Sequence, residues 1–161
     1  MVMQDHRRAG GFTLIELVIT VTLLGVLLSI AVPGMRQLTL NQGVKSAAFD
    51  LFSALEYARS EAIKRPSETV TLKAGANSDG AWSTGWRLLD GSGTKLRSWS
   101  VASNISVSDK NSLTQVTFAK DGHVASSPML TVKSSATVSG VEPRCIQVDL
   151  IGRPNSKTGN C

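Results

Sequence analysis

The longest apolar run in the chain lies near its N-terminus and extends from Phe12 to Val32. Its length matches the roughly 20 residues that an α-helix needs to cross the hydrocarbon core of a bilayer. One ionisable side chain, that of Glu16, interrupts the run. The pattern predicts a membrane-spanning helix whose carboxylate needs a partner, because a charge inside a membrane helix costs roughly 2.5 to 3.5 kcal/mol on insertion scales.

Beyond the apolar run, apolar residues recur at every third or fourth position, which places them on one face of a continuing helix. The positions are Val44, Ala48, Leu51, Phe52, Leu55, Ala58 and Ala62. We expect Arg65-Pro66 to end this helix, because proline disfavours helical geometry at the residue before it. Pro33-Gly34 is expected to bend the helix or to melt it locally.

The remainder of the chain is predicted to form short strands separated by turns. Alternation of apolar and polar residues indicates strands at 69–74, 86–89, 96–101, 105–107, 116–119, 130–132 and 145–151. Asp-Gly pairs that begin at Asp79, Asp90 and Asp121 are typical of hairpin turns. About seven strands of a small antiparallel sheet packed on one long helix predict an α+β domain.

A basic leader precedes the apolar run, with His-Arg-Arg at residues 6–8. The positive-inside rule then places the N-terminus in the cytoplasm. Cleavage between Gly11 and Phe12 would create an α-amino group about one helical turn from Glu16, able to pair with that carboxylate in the same copy or a neighbouring one. The net charge of +5 is a mild basic bias, which by itself does not indicate a nucleic-acid-binding protein.

The segment Gly10 to Leu17, with the sequence Gly-Gly-Phe-Thr-Leu-Ile-Glu-Leu, resembles the class III signal and N-terminal helix of type IV pilins and type II secretion pseudopilins. The resemblance implies that Gly11 precedes the peptidase cut, that Phe12 becomes the methylated N-terminus and that Glu16 is the assembly carboxylate. Pro33 matches the helix-softening proline of many members. An ordinary signal anchor is the alternative, and it leaves Glu16 unexplained.

A second stretch, Tyr-Ala-Arg-Ser-Glu-Ala-Ile-Lys-Arg at residues 57–65, resembles the branch that contains the minor pseudopilin H of type II secretion and the minor pilins FimT and FimU. Further positions resemble the same branch: Trp82, Gly85, Trp86, Phe118 and Gly122. The resemblance implies the type IV pilin fold. Its parts would be a leader at 1–11, a membrane and filament-core helix at 12–35, an amphipathic helix at 36–65 and a β-rich domain at 66–161.

This resemblance implies a minor pilin that primes assembly and sits at the filament tip, with a minor pseudopilin H as the alternative. The implied partners are the prepilin peptidase, other major and minor pilins, the inner-membrane assembly platform and membrane lipid. The implied location is the bacterial inner membrane, crossed once with the N-terminus in the cytoplasm, and then the periplasm and a cell-surface pilus.

The two cysteines, Cys145 and Cys161, fit that compartment. In an oxidising periplasm they would form a disulfide worth about 3 kcal/mol on loop-entropy grounds. The rival interpretation is a metal site with His123, but the sequence lacks the Cys-x-x-Cys spacing of such sites. We therefore predict the disulfide, no metal and no cofactor.

The last part of the chain leaves one question open. Gly152 and Arg153 lie where DNA-binding FimT-type pilins, by resemblance, carry Gly-Arg-x-Arg, but Asn155 stands in place of the second arginine. Gly152 and Arg153, together with Arg144 and Lys157, form a candidate contact to double-stranded DNA. Such a contact would serve DNA uptake by the pilus, or the chain would be a dedicated DNA receptor of a competence pilus. The alternative is a closed loop that carries solvated cations.

No catalytic motif accompanies these features. The sequence contains no nucleophile elbow, no zinc-protease motif and no phosphate-binding loop. Asp121-Gly122-His123 is interpreted as a turn, and the tryptophans are interpreted mainly as core residues. We therefore predict that the chain is not an enzyme and that it has no catalytic residues.

Overall fold

The computed structural model describes residues 12–65 and 67–161. One long helix, α1, spans Leu14–Lys64. Eight strands follow: β1 Val70–Ala74, β2 Gly85–Leu89, β3 Lys95–Ser100, β4 Ile105–Asp109, β5 Gln115–Phe118, β6 Met129–Ser134, β7 Arg144–Val148 and β8 Pro154–Thr158. The fold divides into two compact units at the bond between Arg36 and Gln37.

In the first unit, α1 begins where Thr13 caps it. The hydroxyl of Thr13 accepts a hydrogen bond from the backbone N–H of Glu16 at 3.2 Å. Within the described residues, α1 is the helix that is long and apolar enough to cross a membrane by length and composition. The backbone is helical at both Pro33 and Gly34, so the local melt is wrong, while a bend at this point stays a prediction. A proline within a helix lacks the N–H group of one backbone hydrogen bond.

In the second unit, α1 buries a stripe against the strands. The buried helix residues are Leu40, Val44, Ala47, Ala48, Leu51, Ala54, Leu55, Ala58 and Ala62. The sequence pattern did not identify Leu40, Ala47 or Ala54 as core residues. The buried stripe is wider than the pattern suggested because α1 packs against two sheets, both of which contribute to the same core.

The strands form two four-stranded antiparallel sheets with the orders β3-β2-β1-β5 and β4-β6-β7-β8. The predicted α+β fold with antiparallel strands is confirmed, and the strands are divided between two sheets. The strand predicted at 145–151 ends at Val148, and residues 149–152 form a turn instead. β8 was not predicted because Pro-Asn-Ser-Lys-Thr has no apolar alternation, and only Pro154 of this strand is buried.

Aspartates organise the turns at all three Asp-Gly pairs. At Asp90, one carboxylate oxygen accepts the backbone N–H groups of Ser92 and Thr94 at 3.0 and 2.8 Å. The Ser92 hydroxyl also donates to it and is the main cause that lowers the pKa of Asp90. The Thr84 hydroxyl in the same way lowers the pKa of Asp79. These turns therefore hold ionised carboxylates as hydrogen-bond acceptors.

Candidate functional site

The predicted assembly carboxylate lies in the first turn of α1, at the end of the helix that favours negative charge. Phe12, four residues earlier, has 79% of its surface exposed. The nearby hydroxyls of Thr20 and Thr22 donate to carbonyl oxygens of their own helix at 2.8 and 2.9 Å. The Glu16 carboxylate has no hydrogen-bond or ion-pair partner anywhere in the described chain. The carboxylate is therefore available to a group from another chain. The predicted cleavage residue Gly11 lies outside the described residues.

Cys145 and Cys161 are joined in a disulfide, with their Cα atoms 5.1 Å apart. Cys145 lies on β7 and is fully buried. The backbone N–H of Cys161 donates to the Thr131 hydroxyl at 3.2 Å, and Lys110 donates to the Cys161 carbonyl at 3.2 Å. The disulfide and these hydrogen bonds fasten the segment after β8 onto the sheet.

The three cations of the candidate DNA contact do not converge. On the β7–β8 hairpin, Arg144 lies opposite Thr158 and Lys157 lies opposite Cys145. Because successive strand residues point to opposite faces, Arg144 and Lys157 belong to opposite faces of the sheet. Arg153 lies at the other end of the hairpin, in the turn.

Arg153 is also engaged within that turn. Its Nε atom is 3.6 Å from a carboxylate oxygen of Asp149, and its backbone N–H donates to the other oxygen at 2.7 Å. The acid offsets part of the positive charge that a phosphate would meet. DNA binding at Arg144, Gly152, Arg153 and Lys157 stays a prediction. In this geometry the three cationic side chains do not line a common pocket.

Gly152 has a structural reason to be glycine. Its φ is +80°, a conformation that other residues rarely adopt, and an added Cβ would lie 1.8 Å from the carbonyl oxygen of Gly122. Gly122 itself packs against Arg59 and Ile63 of α1. The close contact between the turns at Gly152 and Gly122 therefore accounts for a glycine at position 152 without any role in DNA binding.

Replacing Gly152 by alanine is expected to destabilise the fold by about 3 kcal/mol, because it adds a steric clash to the cost of a left-handed backbone. Gly93 is the matched control: its φ is +85°, and no atom lies within 4 Å of its added Cβ. Gly93→Ala should cost only about 1 kcal/mol. Urea unfolding of the two variants measures the difference, and equal losses would contradict the close contact.

The remaining candidates from the sequence have structural roles. Trp82 and Trp86 are buried, and the Trp82 indole N–H donates to the carbonyl of Leu113 at 2.7 Å. The Nδ1 atom of His123 lies 3.2 Å from the Asp121 carboxylate in an exposed turn. The backbone N–H of His123 is the main cause that lowers the pKa of Asp121. Among the described residues, no group of histidine, cysteine and acidic side chains is placed to hold a metal ion.

A surface cluster on β3, which was not predicted from the sequence, joins Arg97, Trp99 and Tyr57. The guanidinium of Arg97 lies 4.9 Å from the centre of the Trp99 ring and 5.7 Å from that of the Tyr57 ring. The two rings meet edge to face, with their centres 6.4 Å apart. Arg97 and Trp99 are two residues apart on a strand, so the sequence alone could have placed them on the same face. The position of Tyr57 beside them depends on how α1 packs on the sheet.

Comparison with known proteins agrees with this architecture. The family model "Type II transport protein GspH" matches residues 47–152, and the model "Prokaryotic N-terminal methylation motif" matches residues 6–32. Two Pseudomonas aeruginosa relatives, each named "Fimbrial protein", are 32% and 31% identical over 154 residues, which are 94% of this chain and 83% of each relative.

The fold is similar to two crystal structures of the type IV minor pilin FimU from Pseudomonas aeruginosa PAO1. Their TM-scores are 0.61 and 0.59 at 23% and 22% identity, covering 74% and 71% of this chain and 92% of each FimU chain. The apolar helix together with the methylation motif fits a single-pass, membrane-anchored pilin that is processed by a prepilin peptidase. The chain therefore belongs to the GspH family of type IV pilin-like minor pilins and pseudopilins.

Proposed function

We propose that this chain is a minor pilin of a type IV pilus, of the FimT/FimU type, that primes filament assembly and sits at the filament tip. The observation that carries the proposal is the Glu16 carboxylate, which has no partner in the described chain and lies one turn from Phe12 on an exposed apolar helix. A filament of such helices offers the missing cation in the N-terminus of a neighbour. The work of the chain is structural.

The mechanism follows from that pairing. The chain inserts with its N-terminus in the cytoplasm and its β-rich domain outside. The prepilin peptidase cuts between Gly11 and Phe12 and methylates the new terminus. The inner-membrane assembly platform then extracts the subunit from the lipid, and its helix packs among those of other major and minor pilins. Pairing of Glu16 with a neighbouring amino group compensates two charges that would otherwise be buried alone.

The alternative is a minor pseudopilin H of a type II secretion system, which has the same fold and processing. The names of the two relatives favour the pilus, since both are fimbrial proteins that align with 94% of this chain. A role as a DNA receptor has weaker support: Arg153 and Lys157 are exposed on one hairpin, but Asp149 engages Arg153.

Deletion of the gene tests the proposal. We expect markedly fewer surface pili, because a priming subunit lowers the barrier to starting a filament, with normal secretion of type II substrates. An epitope-tagged copy that restores piliation should be found by immunogold labelling at one end of sheared filaments. Normal piliation together with a secretion defect would contradict the pilus assignment and favour the pseudopilin. Labelling along the whole filament would contradict the tip position.

A further inference from the structure

The two sheets have four edge strands, and other segments of the chain contact two of them, β4 and β5, at one residue each. At β4, the Ser83 hydroxyl donates to the Val107 carbonyl at 3.0 Å and accepts the Val107 N–H at 3.2 Å. At β5, a bridge joins Phe118 to Val124. β8 begins with a proline and offers a polar sequence that is poorly suited to binding.

β3 is an open edge with a different composition. It pairs with β2 on one side. On its other side, the backbone N–H and C=O groups of Lys95–Ser100 have no partner within residues 12–65 and 67–161. An open edge of six residues is a template on which a further strand can form main-chain hydrogen bonds.

The side chains beside this edge have the composition of a binding hot spot. Tyr57, Arg97 and Trp99 lie together, and these are the residue types most enriched at such sites. Tyr57 is the only tyrosine of the chain. The other two tryptophans are buried, whereas Trp99 is partly exposed. The contact surface is held in place by ring packing and by the stacked guanidinium.

The positive charge of β3 favours an acidic binding partner. Lys95 and Arg97 are exposed, the strand contains no acidic residue, and neither cation has an ion-pair partner among the described residues. The planar guanidinium of Arg97 matches a carboxylate in a two-bond arrangement. Pairing with the same edge of a second copy would bring like charges together, which is unfavourable. The two cations therefore favour an acidic strand over a second copy of β3.

We propose that β3 is the docking edge for an extended acidic segment of a different polypeptide, which adds a strand to the sheet and places a carboxylate on Arg97. That polypeptide would be another filament subunit, an identification that rests on the function proposed above. The chemistry of the edge does not, because it depends only on β3 and Tyr57.

A direct binding assay tests the edge. The full-length chain in detergent micelles is titrated against a fluorescein-labelled octapeptide of alternating threonine and glutamate, with fluorescence anisotropy as the readout. We expect saturable binding that Arg97→Glu weakens at least about tenfold, which is the scale of one charge-assisted contact. Lys120→Glu, the same charge change at an exposed turn, should leave the affinity within about twofold. N-methylation of alternate peptide nitrogens should abolish binding, because it removes the main-chain donors.

Four results would overturn the proposal: no binding at millimolar peptide, equal losses in Arg97→Glu and Lys120→Glu, unchanged binding of the N-methylated peptide, or Arg97-dependent binding of a short labelled oligonucleotide in place of the peptide. These outcomes are separate from the piliation assay. Loss of pili without peptide binding would reject the docking edge alone. Peptide binding with normal piliation would reject the pilus function alone.

Discussion

Replacing Glu16 by alanine is expected to leave the chain in the membrane but to lower its level in sheared filaments at least about tenfold. Insertion should persist because the change removes a charge from the apolar helix. Incorporation should fail because the N-terminus of a neighbouring subunit would be buried without its counter-ion, and breaking a buried pair costs about 3–5 kcal/mol.

Thr20→Ala is the matched control for this experiment. Thr20 lies one turn further along α1, and its hydroxyl bonds only to the carbonyl of Leu17 in its own helix. Quantitative immunoblots of membranes and of sheared filaments should therefore show normal incorporation for Thr20→Ala. Equal filament levels for Glu16→Ala and the unaltered chain would defeat the assembly role of the carboxylate.

Removal of the disulfide is expected to destabilise the second unit, residues 37–161. Cys161→Ser should lower the free energy of unfolding by about 3 kcal/mol, because the unfolded chain regains the freedom of the loop that begins at Cys145. Cys161 is the better site to change, since Cys145 is fully buried and its replacement would also disturb the core.

Urea unfolding followed by tryptophan fluorescence measures this loss. A reducing agent should destabilise the unaltered chain by the same amount and leave Cys161→Ser unchanged, which separates the cross-link from other effects of the substitution. Identical unfolding curves for the reduced and oxidised chain would contradict a stabilising disulfide.

Much of the fold could be predicted because it depends on local pattern. Three- and four-residue spacing identified the face of α1 that is buried at Val44, Leu51 and Ala58. Alternation identified seven strands close to their observed bounds. β8 was missed because it is an exposed edge strand, so burial leaves no periodic signature in its sequence.

The candidate sites were less predictable because they depend on register and on contacts between distant segments. Sequence proximity suggested that Arg144 and Lys157 act together, whereas pairing with β8 assigns them to opposite faces. Arg87 is similarly unexpected: it is buried because its guanidinium donates to the carbonyls of Ala74 and Gly75. Such contacts arise only once β1 and β2 pair.

Mass spectrometry of the protein recovered from sheared filaments tests whether this chain is a processed pilus subunit. We expect its N-terminal peptide to begin at Phe12 and to carry one N-methyl group. Filament-bound protein that retains residues 1–11, or that begins at another residue without a methyl group, would contradict processing between Gly11 and Phe12.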